Sequence, residues 1–153
     1  MARLYLIEKT LLPLLMSLVM ASCGGSVKEI SYDALSEKAR QFIGLYFQDM
    51  ECVRIVQNKD NVATGFEAYL TDGAKLEFDG RGEWTSLDCK FSAIPSGILP
   101  ENIITYIDNR CPDAVVRKAE KLPSGYEINI TRRGSYHNVH CTFVGAGHQI
   151  TEH

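Results

Sequence analysis

His137, His140, Cys141 and His148 stand close together, and they are the residue types that bind zinc or pair a thiolate nucleophile with a base. Their spacing argues against both uses. On a strand, positions 137 and 140 face opposite ways. The chain has neither a Cys-x-x-Cys nor a His-Glu-x-x-His pattern. A His/Cys metal or thiol site is therefore a lesser alternative, and no cofactor is expected. Gly80 and Gly82, like Gly145 and Gly147, punctuate strands and do not form the strand-to-helix loop that cradles phosphate. Asp72, Asp79 and Asp88 fall at hairpin ends, where turn chemistry accounts for them. No motif spells out catalysis, and the chain is read as a non-enzyme.

The start of the chain carries an address. Arg3 and Lys9 precede an apolar run from Leu11 to Met20 that is shorter than the roughly 20 residues a bilayer crossing needs. Ala21 and Ser22 are small residues of the kind found before a cleavage point, and Cys23 follows them. The pattern resembles the bacterial lipobox, with Met20 where leucine is usual. That resemblance implies a signal peptide over 1–22 and lipid on Cys23. It places the protein on the periplasmic side of a Gram-negative-type membrane. Residues 23–32, with Gly24, Gly25 and Ser26, are expected to form a flexible tether. The formal charge is −3, and residues 1–22 hold Arg3, Lys9 and Glu8, so the remainder is one unit more negative. Nucleic acid binding wants a basic surface and is not expected.

Two stretches of the chain echo one another. Leu35, Glu37, Phe42, Ile43 and Asp49 return as Leu99, Glu101, Tyr106, Ile107 and Asp113. Gly65, Phe66, Glu67, Leu70 and Thr71 return as Gly125, Tyr126, Glu127, Ile130 and Thr131. A period near sixty residues marks a supersecondary unit used in tandem. In each unit the apolar period begins helical: Ala39, Phe42, Ile43 and Tyr46 share one helix face, as do Ile103, Tyr106 and Ile107. The period then falls to two. The expected strands are 50–57, 64–71, 74–79 and 82–89 in the first unit, and 114–121, 125–132, 135–144 and 147–151 in the second. Asp72 and Gly73 signal a two-residue hairpin, and Pro112 stops the second helix. The fold expected is α+β: a tandem repeat of a helix plus a four-stranded antiparallel meander, with helices on one sheet face. The units are 33–89 and 99–151, joined by 90–98. The join leaves open whether the two sheets are continuous.

These residues carry a family resemblance. The tandem glycine–aromatic–glutamate strands, the hairpin Leu70, Asp72, Gly73, the run Phe78, Asp79, Gly82, Trp84, and the linker Asp88, Cys89, Lys90 to Pro100 resemble the PepSY-like family. This is the beta-lactamase-inhibitor-like group of bacterial envelope proteins. The resemblance covers about residues 33 to 151. The second unit departs after Arg132, where a longer segment replaces the usual short hairpin. The family implies a helix-on-sheet fold and the binding or inhibition of an envelope protein.

Alternation leaves one sheet face polar and dotted with aromatics, as an antiparallel sheet permits. The contact candidates are Glu67, Tyr69, Lys75, Glu77 and Trp84, with Glu127 and Asn129 from the second unit. Trp84 is core if it faces the helices and a natural binding anchor if it faces outward beside Tyr69. The functional expectation is a lipid-anchored module that inhibits or modulates an envelope protein or peptide through this face. A self-associating structural lipoprotein is the alternative. Export permits disulfides among Cys52, Cys89, Cys111 and Cys141. Cys111 and Cys141 align with core positions of the first unit and could meet. Cys52 and Cys89 lie three strand spacings apart, about 14 Å, beyond the roughly 7 Å a bridge tolerates.

Overall fold

The computed structural model describes residues 27–58, 65–132, 135–144 and 147–152, the last two ranges as backbone apart from the His137 side chain. The signal segment 1–22 and Cys23 lie outside the described residues. Among the described residues nine strands form one sheet in which every neighbour is sequential and antiparallel. They are β1 (Val27–Glu29), β2 (Cys52–Asn58), β3 (Phe66–Leu70), β4 (Lys75–Phe78), β5 (Trp84–Asp88), β6 (Val115–Leu122), β7 (Gly125–Arg132), β8 (Ser135–Val144) and β9 (Gly147–Glu152). Helix α1 (Glu37–Tyr46) precedes β2, and α2 (Glu101–Arg110) precedes β6. Each helix is thus followed by four strands. The two meanders are not separate sheets. β5 pairs with β6 through Ser86–Glu120, Leu87–Ala119 and Asp88–Lys118.

Order begins earlier than the sequence predicts. Val27–Glu29, inside the expected tether, pairs with Val56–Asn58. All three residues of β1 are exposed, so its backbone bonds hold it there and not burial.

Both helices start where the local chemistry dictates. The Ser36 hydroxyl accepts from the Ala39 amide at 3.3 Å and caps α1. Pro100 stands at the N-cap of α2, where its missing N–H costs nothing. Ala39 and Ile43 of α1, and Ile103 and Ile107 of α2, are buried. They meet Phe66, Ala68, Leu70, Leu76, Phe78, Leu87, Ala119, Ile128 and Ile130 in a single hydrophobic cluster. Burial of each large side chain there stabilises the fold by about 1.5–3 kcal/mol. Because one cluster runs under both helices, the halves share a core as well as a sheet.

The turns show one correction. The β3–β4 connection is not a two-residue hairpin: Leu70 N–H bonds the Ala74 carbonyl at 2.9 Å, enclosing Thr71, Asp72 and Gly73. Gly73 takes the left-handed conformation that closes such a three-residue loop. The β4–β5 connection repeats the device with Gly82 at φ +82°. There Asp79 Oδ1 accepts from the amides of Arg81 and Glu83, both at 2.9 Å.

Cys52, Cys89 and Cys111 carry free thiols. The Cys141 side chain lies outside the described residues, so of the Cys111–Cys141 pair only the first partner is placed.

Candidate functional site

The continuous sheet lines up its helix-free face in two cross-strand rows. The first runs Arg54, Tyr69, Lys75, Asp88, Lys118, Asn129, each residue opposite the next on the neighbouring strand. The second runs Val56, Glu67, Glu77, Ser86, Glu120, Glu127. Strand alternation dictates the rows: the residues between them, Ala68, Leu76, Leu87, Ala119 and Ile128, are all buried in the core. A bulge between Val116 and Lys118 resets the phase of β6 so that Lys118 and Glu120 join the same face.

Six of the seven contact candidates lie in these rows: Glu67, Tyr69, Lys75, Glu77, Glu127 and Asn129. Trp84 does not. It is 7% exposed and faces the helices. Its ring lies 6.5 Å from that of Phe42 and 6.2 Å from that of Tyr126, with Lys121 Nζ 4.1 Å above it. The bulge between Glu77 and Phe78 pairs Trp84 with the buried Phe78, which turns the indole inward. Burial beneath this packing lowers the pKa of Lys121. Of the two readings left open for Trp84, core is the one the structure shows, and Trp84 does not belong among the contact candidates.

Two like-charge pairs stand opposite one another in the glutamate row, Glu67 with Glu77 and Glu120 with Glu127. Such pairs repel unless a cation intervenes. Lys75 does so for the first, at 3.3 Å from Glu67 Oε2 and 2.6 Å from Glu77 Oε1. Burial works against its charge, but the hydrogen bonds to Glu77 and Glu67 prevail and hold its pKa above the ordinary lysine range. Lys118 approaches Glu120 at 3.6 Å. Tyr69 donates its phenol proton to Glu67 Oε2 at 2.7 Å, and that bond, with burial, raises its pKa. Arg54 and Lys75 sit 5.8 and 5.9 Å from the Tyr69 ring centre. Tyr69 is thus an aromatic fixed between two cations, with its polar end tied down.

Arg54, Ser86, Asp88, Lys118 and Glu120 were not among the sequence candidates. Alternation around Ala119 was the one available signal for Lys118 and Glu120. Their neighbours across β5 depend on the two meanders being joined.

The His/Cys group does not assemble among the described residues. His137 is exposed. His137 and His140 take register positions opposite Ile130 and Glu127, which lie on opposite sheet faces. Cys141 and His148 side chains lie outside the described residues. No three His, Cys, Asp or Glu side chains among the described residues are placed to share a metal ion. A cavity of about 520 Å³ opens between the linker (Ile94, Pro95, Leu99), Ile104 of α2, and Val115 and Val116 of β6. Its lining offers no acid–base pair.

The fold and this face define a class: two helices over one face of a continuous antiparallel sheet, with a patterned polar surface left on the other. Residues 64–147 match the family described as "Putative beta-lactamase-inhibitor-like, PepSY-like". The chain belongs to the PepSY-like family. Three similar solved structures are bacterial. A "putative periplasmic protein" of the DUF2874 family from Bacteroides vulgatus is 30% identical with a TM-score of 0.69, covering 76% of this chain and 91% of that one. A second protein from that organism, of unknown function, is also 30% identical with a TM-score of 0.67, over 76% and 90% of the two chains. A "putative calcium-regulated periplasmic protein" from Bacteroides thetaiotaomicron is 30% identical with a TM-score of 0.67, over 73% and 87%. No curated protein matches this chain. No helix among the described residues is long and apolar enough to cross a membrane.

Proposed function

We propose that this protein is a non-enzymatic binding module of the bacterial envelope, tethered through Cys23, that inhibits or modulates a partner protein through its helix-free sheet face. One observation carries the reading. The two rows across β2–β7 set charged side chains and Tyr69 in an ordered ladder on the face opposite the two helices, around the buried Val56 and Ser86. A face that served only solubility would need no neutralised glutamate pair and no tyrosine pinned between cations. Aromatic and cationic side chains held rigid in this way lose little freedom on binding. The relatives described as periplasmic support the compartment. One relative's description names calcium. Here the carboxylate pair Glu67 and Glu77 already holds the Lys75 ammonium, which favours a protein partner over an ion.

The test is site-specific photocrosslinking in intact cells. A benzophenone amino acid replaces Tyr69 in one strain and Leu45, an exposed residue on the helix side, in another. Crosslinks to one partner from position 69 and none from 45 are expected. Crosslinks from 45 alone would place the contact on the helices and reject the reading. A crosslinked product at twice the chain mass would point to self-association.

A further inference from the structure

The turn after β5 is built in a way its structural task does not require. Lys90 has φ +48°, the left-handed conformation that glycine adopts without strain. Phe91, next to it, is 84% exposed. Both are held in place. Asp88 accepts from the Lys90 amide at 3.1 Å and from its Nζ at 2.6 Å. The Arg117 guanidinium donates to the Phe91 carbonyl. Ser92 Oγ donates to Asp72 Oδ2 at 2.9 Å and ties the turn to the β3–β4 loop. An unusual backbone conformation that the surroundings over-determine points to function. Here it presents an aromatic ring to solvent.

Beside that ring lies a notch of about 290 Å³, lined by Asp88, Lys90, Phe91, Arg117, Lys118 and Asn129. Three of the six are cations and one is an anion, on a chain whose formal charge is −3. The lining carboxylate is already engaged by Lys90, and Lys118 has Glu120 at 3.6 Å beside it. Asp88, Lys118 and Asn129 are consecutive members of the Tyr69 row, so the notch is continuous with the helix-free face.

We infer that this notch anchors an acidic segment of the protein partner, taking a partner carboxylate between Arg117 and Lys118 and a neighbouring apolar side chain against Phe91. The inference rests on the binding-module reading and adds the chemistry of what is bound. Charge complementarity would set the encounter and its salt dependence. The exposed aromatic would supply the anchor. At about 290 Å³ the notch is at the lower end of the roughly 300–1,000 Å³ of small-molecule sites, room for one or two side chains.

The probe is a random peptide library displayed on phage, selected against the folded protein. The same selection runs on Phe91→Ser, Lys118→Glu and Tyr69→Ala, each checked by thermal melt. The notch residues are surface positions, so the variants are expected to fold. Wild type is expected to enrich acidic peptides that carry an apolar residue. The enriched peptide, synthesised, is expected to bind about ten-fold or more weakly to each notch variant, and more weakly in raised salt. Neutral or basic winners, no enrichment, or equal affinity for the notch variants would overturn the inference. Loss of binding in Tyr69→Ala with no loss in the notch variants would overturn it while sparing the helix-free face. Loss in none of the three would count against both.

Discussion

Replacing Gly82 with alanine tests the joint between the first helix and the sheet. Gly82 closes the β4–β5 loop at φ +82°, which costs an alanine about 1–2 kcal/mol. The added Cβ would also fall 2.0 Å from Ser36 Oγ and 3.1 Å from the Ala39 amide nitrogen. Ser36 Oγ is the N-cap acceptor of α1, so the hydroxyl must leave. Loss of a cap costs about 1 kcal/mol. The expected total is about 2–3 kcal/mol, or about 8–12 °C in Tm for a domain of this size. The mechanism makes a sharper demand than the total. Ser36→Ala alone should cost about 1 kcal/mol, but in the Gly82→Ala background it should cost almost nothing, because the cap is already gone. A double-mutant cycle by urea denaturation of the protein would show a coupling of about 1 kcal/mol. Additive losses would mean that the loop and the cap are independent, and the clash argument would be wrong.

Other expectations follow from the same structure. Trp84→Ala should destabilise the protein by about 3–5 kcal/mol through a core cavity, seen as an early thermal transition; a melt unchanged from wild type would return Trp84 to the surface. Tyr69→Ala should leave the melt within about 1 kcal/mol of wild type, because its row lies outside the core. Asp79 and Asp88 have pKa values below the ordinary range, since hydrogen bonds from Glu83 and Arg81, and from Lys90, outweigh burial. Their stabilisation is present above the unfolded-state pKa and is lost as pH falls through the lower folded values. Asp79→Asn should therefore flatten the acid limb of stability against pH, and an unchanged slope would remove Asp79 from the account. The Cys89 thiol is 1% exposed, and burial, reinforced by Asp72 and Asp88, pushes its pKa up to about 12. Iodoacetamide should modify Cys89 only at the rate of unfolding, measured by mass spectrometry across a denaturant series. Rapid labelling of the native protein would show that its burial is incomplete.

Much of the architecture was legible in the residues. The period of Ala39, Phe42 and Ile43 specifies one helix, and that of Ile103 and Ile107 the other, because each must bury a single stripe. The alternation of Phe66, Ala68 and Leu70 against Glu67 and Tyr69 assigns two faces to β3, because successive strand residues point opposite ways. Seven glutamates, lysines and polar or aromatic partners could be proposed on that basis, and six share one face. Trp84 could not be assigned, because a bulge beside Phe78 changes its phase and no local pattern encodes a bulge. Val27–Glu29 gave no strand signal either, since its order comes from the edge of β2 and not from its own burial. The join of β5 to β6 lies further out of reach. It pairs Asp88 with Lys118 across thirty residues of chain, and it alone turns two short meanders into one surface. Residue types and local spacing determine which side chains can face outward. Only long-range pairing decides which of them become neighbours, since that depends on the shared core under both helices.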